Sequence, residues 1–404
     1  MKKLEKRYFK EDAWWVSPFN EKEEVVQEAI PKHSVEIHDA TLRDGEQTPG
    51  IVFSKDDKVR IAEKLIEAGV TRIEAGMPAV SKSDFEAMKE INKRFKEANI
   101  YSFARALNVD IDMALDSGST GVVIEIPISE PKLKYQFKWT WENVLEKSIG
   151  CIQYARSKGL KVVYFPYDTT RAREEDIEAV FKGLMKEAPP DSFGLVDTTG
   201  CTFPSTIAFM VRYIKRLTGG LPVEVHSHND FGMAVAGELA GAAAGAEVIH
   251  SCVNGLGERT GNAPLEELVL GLNILMGLDT PYKLDKLQSL SDTVAQIAGV
   301  PIAPNKPVVG PRSFTRESGI GIDMVIKHPL AMYSVAPAPL GREAQIVLGK
   351  KSGKASITYY LDKLGLSASD EAVNEILEMV KAKGSEKKGL LTDEEFKEIV
   401  QRCC

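Results

Sequence analysis

Residues 35–69 read VEIHDATLRDGEQTPGIVFSKDDKVRIAEKLIEAG, and two periodicities meet inside that stretch. At its start Val35 and Ile37 alternate with Glu36 and His38, the period-2 pattern of a buried strand. Residues 55–67 are amphipathic at helical spacing and are closed by Gly69, a helix-stop signal. The loop between the two carries Arg43 and Asp44. A strand, a polar loop and a helix form one βα unit.

The unit repeats. Further strands are expected at 72–76, 101–104, 122–128, 161–165, 193–197, 223–228 and 248–253, each short and rich in β-branched residues. Amphipathic segments separate them at 83–95, 111–116, 141–157, 174–186, 204–217, 233–244 and 265–276, with Gly118, Gly159 and Gly245 at helix ends. Such alternation over roughly 250 residues predicts an α/β fold, a (β/α)8 TIM barrel. A doubly wound open sheet would need a Gly-rich phosphate turn after its first strand, and none is present. The boundaries expected are a polar extension over 1–32, a barrel over 33–280, and a linker with a helical subdomain over 281–404. The extension holds Trp14-Trp15, expected to pack on the body or on a second subunit. Within 281–404, a helix and then irregular chain are expected to residue 360. Beyond it come a helix at 371–383 and another opened by a Thr392/Glu395 capping box.

The chain has 404 residues, 43% hydrophobic and 27% charged, with a formal net charge of -7. That is the composition of a globular protein, and its sign argues against nucleic acid or an anionic membrane as partner. No apolar run is long enough to span a bilayer. The basic start is not followed by an apolar stretch, so no signal peptide is expected and the location expected is cytoplasmic. The five cysteines lack the spacing of a disulfide framework or zinc ribbon; Cys201 and Cys252 are expected as small buried thiols, and the tail pair Cys403 and Cys404 receives no role.

In a barrel of this kind, chemistry gathers where strands end and loops begin. Arg43-Asp44 follow strand 1, Glu74 lies in strand 2, and Asp197-Thr198 end strand 6. His226 and His228 end strand 7, while Asn254 and Asn262 follow strand 8. Alternation puts His226 and His228 on one strand face, as two ligands of one metal require. Taken singly, an Asp after a strand is a helix cap and a buried His a satisfied core residue. Two imidazoles crowded on one face, with a carboxylate on the same rim, favour a shared cation. Gly255, Gly257 and Gly261 do not fit G-x-G-x-x-G and follow the last strand, so a nucleotide turn is not expected there.

The segments HDATLRDGEQTPG, HSHNDFGMAVA, NGLGERTGNAPLEELV and LGKKSGKASI, in that order, resemble the 2-isopropylmalate, homocitrate and citramalate synthase family. The broader group contains hydroxymethylglutaryl-CoA lyase, and the resemblance covers residues 33–360. It implies that acetyl-CoA, or a related acyl-CoA, is condensed with a 2-oxo acid and the thioester then hydrolysed; a carbon–carbon lyase is the alternative. It also implies Asp44, His226 and His228 as ligands of a divalent metal (Mg, Mn, Zn or Co), with Asn262 at or near it. Arg43 would stabilise charge on the keto oxygen, Thr198 would hold the oxo-acid carboxylate, and Glu74 would sit close by. The resemblance further implies a homodimer in which the C-terminal segment reaches the partner's barrel mouth, and in it Tyr333 matches the family's tyrosine as a candidate catalytic residue.

Two positions depart from the family pattern. Tyr167 stands where a strand-5 glutamate is usual, and Gly321 where a histidine is a candidate base. His328 is near but off the pattern and is expected at the surface. Glu125 brings a carboxylate to the strand-4 region and Phe165 adds bulk on strand 5. Arg105 would either bind a second substrate carboxylate or pair with Glu125.

Overall fold

Eight parallel strands close into a barrel in the computed structural model, which describes residues 7–403. The basic start before Arg7 and Cys404 lie outside the described residues. The barrel strands are β1 (Glu36–Asp39), β2 (Arg72–Gly76), β3 (Asn99–Arg105), β4 (Gly121–Pro127), β5 (Lys161–Tyr167), β6 (Ser192–Asp197), β7 (Val223–Ser227) and β8 (Val248–Ser251). Each pairs with its neighbour in chain order, and β8 closes on β1 through Val248↔Glu36 to Ser251↔Asp39. The expected TIM barrel is therefore the fold.

Helices return the chain between strands for a simple reason. The outward residues of each strand are apolar and must be covered, and only an amphipathic helix spans the crossover. Ile73, Ile37 and Ile249 pack with Ile61, Leu65 and Leu268 on one side; Val122, Ile124, Val162 and Val225 pack with Ile152, Phe181 and Ile214 on the other. Helix Lys55–Glu67 is started by Ser54, whose hydroxyl accepts from Asp57 N–H while the Asp57 carboxylate accepts from Ser54 N–H.

The barrel interior is divided. On β3 to β6 it is apolar, filled by Tyr101, Phe103, Val123, Val163, Phe165 and Val196. On β1, β2, β7 and β8 it is charged, filled by His38, Arg72, Glu74, Glu224, His226 and His250, all buried. Barrel interiors are ordinarily packed with branched apolar side chains. Half of this one has been given to ion pairs.

The chain forms two compact units, Pro18–Pro301 and a second that joins the described residues before Pro18 to those from Ile302 onward. In the second unit Trp14–Trp15 pairs antiparallel with Phe9–Lys10, and Trp15 N–H donates to Ser334 O. Trp14 is half-buried, while Trp15 stays 54% exposed with its ring edge on Phe9. The irregular stretch expected to residue 360 ends earlier, in helix Lys354–Leu364. Ile357, Tyr360 and Leu361 give that helix a face, which is buried with Ile376, Val380 and Phe396. The Thr392 box forms as expected, with Glu395 N–H donating to Thr392 Oγ1 and Thr392 N–H to Glu395 Oε2. His328 is exposed. Cys252 is buried, but Cys201 is exposed, against expectation. The loop after β6 turns outward there, anchored by Asp197, which accepts from the Cys201 and Thr202 N–H groups.

Candidate metal and substrate site

Asp44 follows β1 at the start of a short 3-10 turn, yet its side chain caps nothing. Both carboxylate oxygens are buried without a hydrogen-bond donor among the described residues. His226 Nε2 lies 3.2 Å and His228 Nε2 3.6 Å from Asp44 Oδ2, and the set has its ligand atoms within 4.8 Å of one another. Two ligands each about 2.1 Å from one cation lie about 3–3.5 Å apart, so this spacing suits a metal. Asn262 Oδ1 is a further buried acceptor without a donor, on a residue bridged to His228 through the backbone. Buried acceptors without donors are rare unless an ion or water completes them. The donor set fits a divalent cation. Gly257 belongs to this arrangement: its φ is +143°, and a Cβ there would overlap the Asn262 amide.

Arg43 is held from three sides. Its Nε donates to Glu74 Oε1 at 2.5 Å, its Nη1 reaches Gln47 Oε1 at 3.4 Å, and its guanidinium lies 4.1 Å from the Phe103 ring centre. Nη2 is buried with no partner among the described residues. Burial opposes the charge, but Glu74 and Asp44 hold Arg43 firmly protonated. Burial likewise works against Asp44, but Arg43 and then the histidines keep it well below the usual carboxylate range. Glu74 is buried with both oxygens engaged, by Arg43 and by His38 Nε2 at 3.1 Å, and is held at about 2, burial being outweighed by Arg43. It acts on the site through Arg43.

Behind the site a hydrogen-bonded chain runs through the charged half of the barrel. His226 Nδ1 meets His250 Nδ1 at 3.3 Å, His250 Nε2 meets Glu224 Oε2 at 3.1 Å, and Arg72 Nη2 donates to Glu224 Oε1 at 2.6 Å. Arg72 Nε donates to His38 Nδ1 at 2.9 Å, and His38 leads to Glu74 and Arg43. One proton arrangement satisfies every link with neutral imidazoles. Glu224 stays ionised because Arg72 and His250 outweigh its burial, so it takes the proton of His250 Nε2. His250 Nδ1 then accepts from His226 Nδ1–H, leaving the His226 Nε2 lone pair toward Asp44.

These groups open into a cavity of about 590 Å³, also lined by Arg105, Glu125, Lys132, Trp139, Lys147, Phe165, Tyr167 and Thr198. Thr198 Oγ1 accepts from Asp168 N–H at 2.7 Å, which leaves the hydroxyl proton free to donate. Arg105 is turned to Asp110, with Nε and Nη2 each 2.9 Å from its carboxylate, and makes no ion pair with Glu125. Asn254, expected on the rim, is instead tied to Ser291 through its side-chain amide. Tyr333, in the other unit, is half-buried with its ring edge on Phe314 and its hydroxyl without a partner among the described residues. Gly321 has φ +82° and caps helix Ile322–Lys327; a side chain there would be strained and would crowd Met332. Sequence reading missed the supporting His38, Arg72, Glu224 and His250. The charged residues alternating along β1, β2 and β7 were the available signal.

The fold and site define an enzyme on a TIM barrel, with a polar cavity at the C-terminal ends of its strands. Residues 34–294 match the HMGL-like family model and residues 308–388 the homocitrate synthase post-HMGL domain-like model, so the chain belongs to the HMGL-like family. It is 39% identical over 378 residues to a homocitrate synthase of Methanopyrus kandleri, covering 94% of each chain. It is 38% identical over 355 residues to a 2-isopropylmalate synthase of Sulfolobus acidocaldarius, covering 88% of this chain and 92% of that one. An (R)-citramalate synthase of Methanocaldococcus jannaschii is 41% identical over 350 residues, 87% of this chain and 71% of its own. The chain is accordingly an acyltransferase of the isopropylmalate and homocitrate synthase type. Its barrel also superposes on hydroxymethylglutaryl-CoA lyase from Pseudomonas aeruginosa, with TM-score 0.59 and 22% identity over 68% of this chain and 96% of the other; this likeness concerns the fold.

Proposed function

We propose that this chain condenses acetyl-CoA, or a close acyl-CoA relative, with a 2-oxo acid to give a 2-hydroxy di- or tricarboxylic acid and free CoA. The observation that carries the reading is Arg43: a buried, fully charged guanidinium with Nη2 unpartnered, beside a carboxylate and two imidazoles whose free atoms converge. Asp44, His226 and His228, with Asn262, would hold a divalent ion (Mg, Mn, Zn or Co). Such an ion would supply Lewis-acid polarisation of the 2-oxo acid's carbonyl.

The chain's own groups do the rest. Arg43 Nη2 donates to the keto oxygen as negative charge gathers on it, and Glu74 and Phe103 hold the guanidinium so that it need not reorganise. Thr198 donates its hydroxyl proton to the oxo-acid carboxylate. Lys132 and Lys147, which make no salt bridge among the described residues, line the β4–β5 side of the cavity and suit the phosphates of an acyl-CoA. Tyr333 is offered to the mouth of a partner's barrel in a homodimer. The reading places the protein in the cytoplasm, in amino-acid biosynthesis.

Thiol release from acetyl-CoA, assayed with Mn or Mg over pyruvate, 2-oxoisovalerate, oxaloacetate and 2-oxoglutarate, tests this. Release with at least one acid is expected, and silence across the panel overturns the reading. Cleavage of a 2-hydroxy acid CoA ester without condensation would instead favour the lyase alternative.

A further inference from the structure

Among the described residues, Glu125 is the carboxylate that β3 to β6 present to the cavity. On β4, Val122, Ile124 and Ile126 face the helices, so Val123 and Glu125 face the interior. Glu125 lies beside Arg105 on β3 and Phe165 on β5 in the strand register. Arg105 is committed to Asp110, and Glu125 itself is half-buried, with neither hydrogen bond nor salt bridge among the described residues. Arg43 and Asp44 line the same cavity, as do Lys132, Lys147 and Trp139, the groups assigned above to the acyl-CoA side.

We propose that Glu125 is the proton acceptor for the acyl-CoA methyl group, an inference that rests on the condensation reading above. One carboxylate oxygen takes a proton from the carbon beside the thioester carbonyl, and the C–H pair becomes the enolate. That carbon bonds to the carbonyl carbon of the oxo acid, whose C=O π pair moves onto the oxygen facing Arg43. The proton passes from Glu125 to that alkoxide, restoring the carboxylate, and water then cleaves the thioester to acid and thiol. Electrophile and base thus come from opposite halves of one barrel. Burial lifts the Glu125 carboxyl to about 7; Arg43 opposes this, while Glu74, Asp44 and Glu258 add to it. Tyr167 on β5 and Arg105 on β3 complete the groups that face it. A base poised near working pH is the most effective. Tyr167, held protonated by burial and by Glu125, is unsuited to the task.

The test compares wild type, Glu125→Gln and Glu125→Asp in the thiol-release assay, with metal and 2-oxo acid binding measured by calorimetry. In Glu125→Gln, kcat is expected to fall about 10²–10⁴-fold, the range of general-base catalysis, with metal and oxo-acid affinities unchanged and Glu125→Asp partly active. Wild-type kcat/KM is expected to rise with pH through about 7, and that limb to vanish in Glu125→Gln. An active wild type with Glu125→Gln undiminished would overturn this inference alone, as would a gain of dicarboxylic oxo acids with kcat retained, which would make Glu125 a charge filter. A wild type silent on the whole panel overturns the condensation reading, and this inference with it.

Discussion

His226 Nδ1 and His250 Nδ1 lie 3.3 Å apart, so the second imidazole decides which nitrogen of the first carries a proton. His250 is itself decided by Glu224, and Glu224 by Arg72. The His226 Nε2 lone pair, which the proposed site would offer to a metal, is thus specified from beneath, by His250, Glu224 and Arg72. Replacing His250 by Phe keeps its stacking on His38 and Phe165 but removes the acceptor. Divalent-metal affinity, read by calorimetry with Mn, should fall about 10–100-fold, the usual effect of losing a group behind a ligand. Unchanged affinity would show that the chain does not set the tautomer.

Arg43 grips Glu74 through Nε and leaves Nη2 for the proposed substrate, two positions that a lysine's single nitrogen cannot both occupy. Arg43→Lys and Arg43→Ala should each lower kcat by about 10²–10³ at saturating metal, as loss of a preorganised oxyanion donor does. Metal content by atomic absorption should be unaltered, because Arg43 is not a ligand.

Arg72 and Glu224 form a buried pair at 2.6 Å inside the barrel. Arg72→Met should cost about 3–5 kcal/mol in urea unfolding, since it strands a buried carboxylate. Arg72→Met with Glu224→Gln should cost less than Arg72→Met alone. Equal losses in both would mean the pair's energy lies in packing.

Acid should destabilise the chelator-treated protein over two pH windows. Burial first, and then His38, lower His250 from 6.5 to about 4 in the folded chain, while the unfolded chain protonates near 6.5. The stability tied to neutral His250 is present above 6.5 and is lost as pH falls toward 4. Glu74, lowered from 4.5 to about 2, contributes above 4.5 and is lost below it. Melting temperature measured from pH 8 to 3 should therefore begin to fall below about 6.5, before Glu74 protonates. A flat profile down to pH 4.5 would contradict the buried neutral histidine.

Much of the site was legible in the chain because its residues sit at strand ends, where period-2 alternation and βα order place them without tertiary information. Asp44, His226 and His228 converge as that order required. Asn254 does not, because its left-handed backbone (φ +59°) turns it to Ser291, a contact 37 residues away that no local pattern announces. Arg105 was left between two partners by sequence and took a third, Asp110, five residues on. Cys201 was misjudged because burial depends on where a loop turns.

The sequence by itself determined the barrel and the opening pair Arg43-Asp44, since repeating strand–helix periodicity leaves few ways to cover eight apolar strands. Only the tertiary structure decided that the barrel's interior is half ionic and half apolar. That division follows from which strands become neighbours on closure. Ring closure brings β8 against β1 and so places His250 between His226 and His38. It also leaves Glu125 facing the charged half from the apolar one, where burial makes a carboxylate basic.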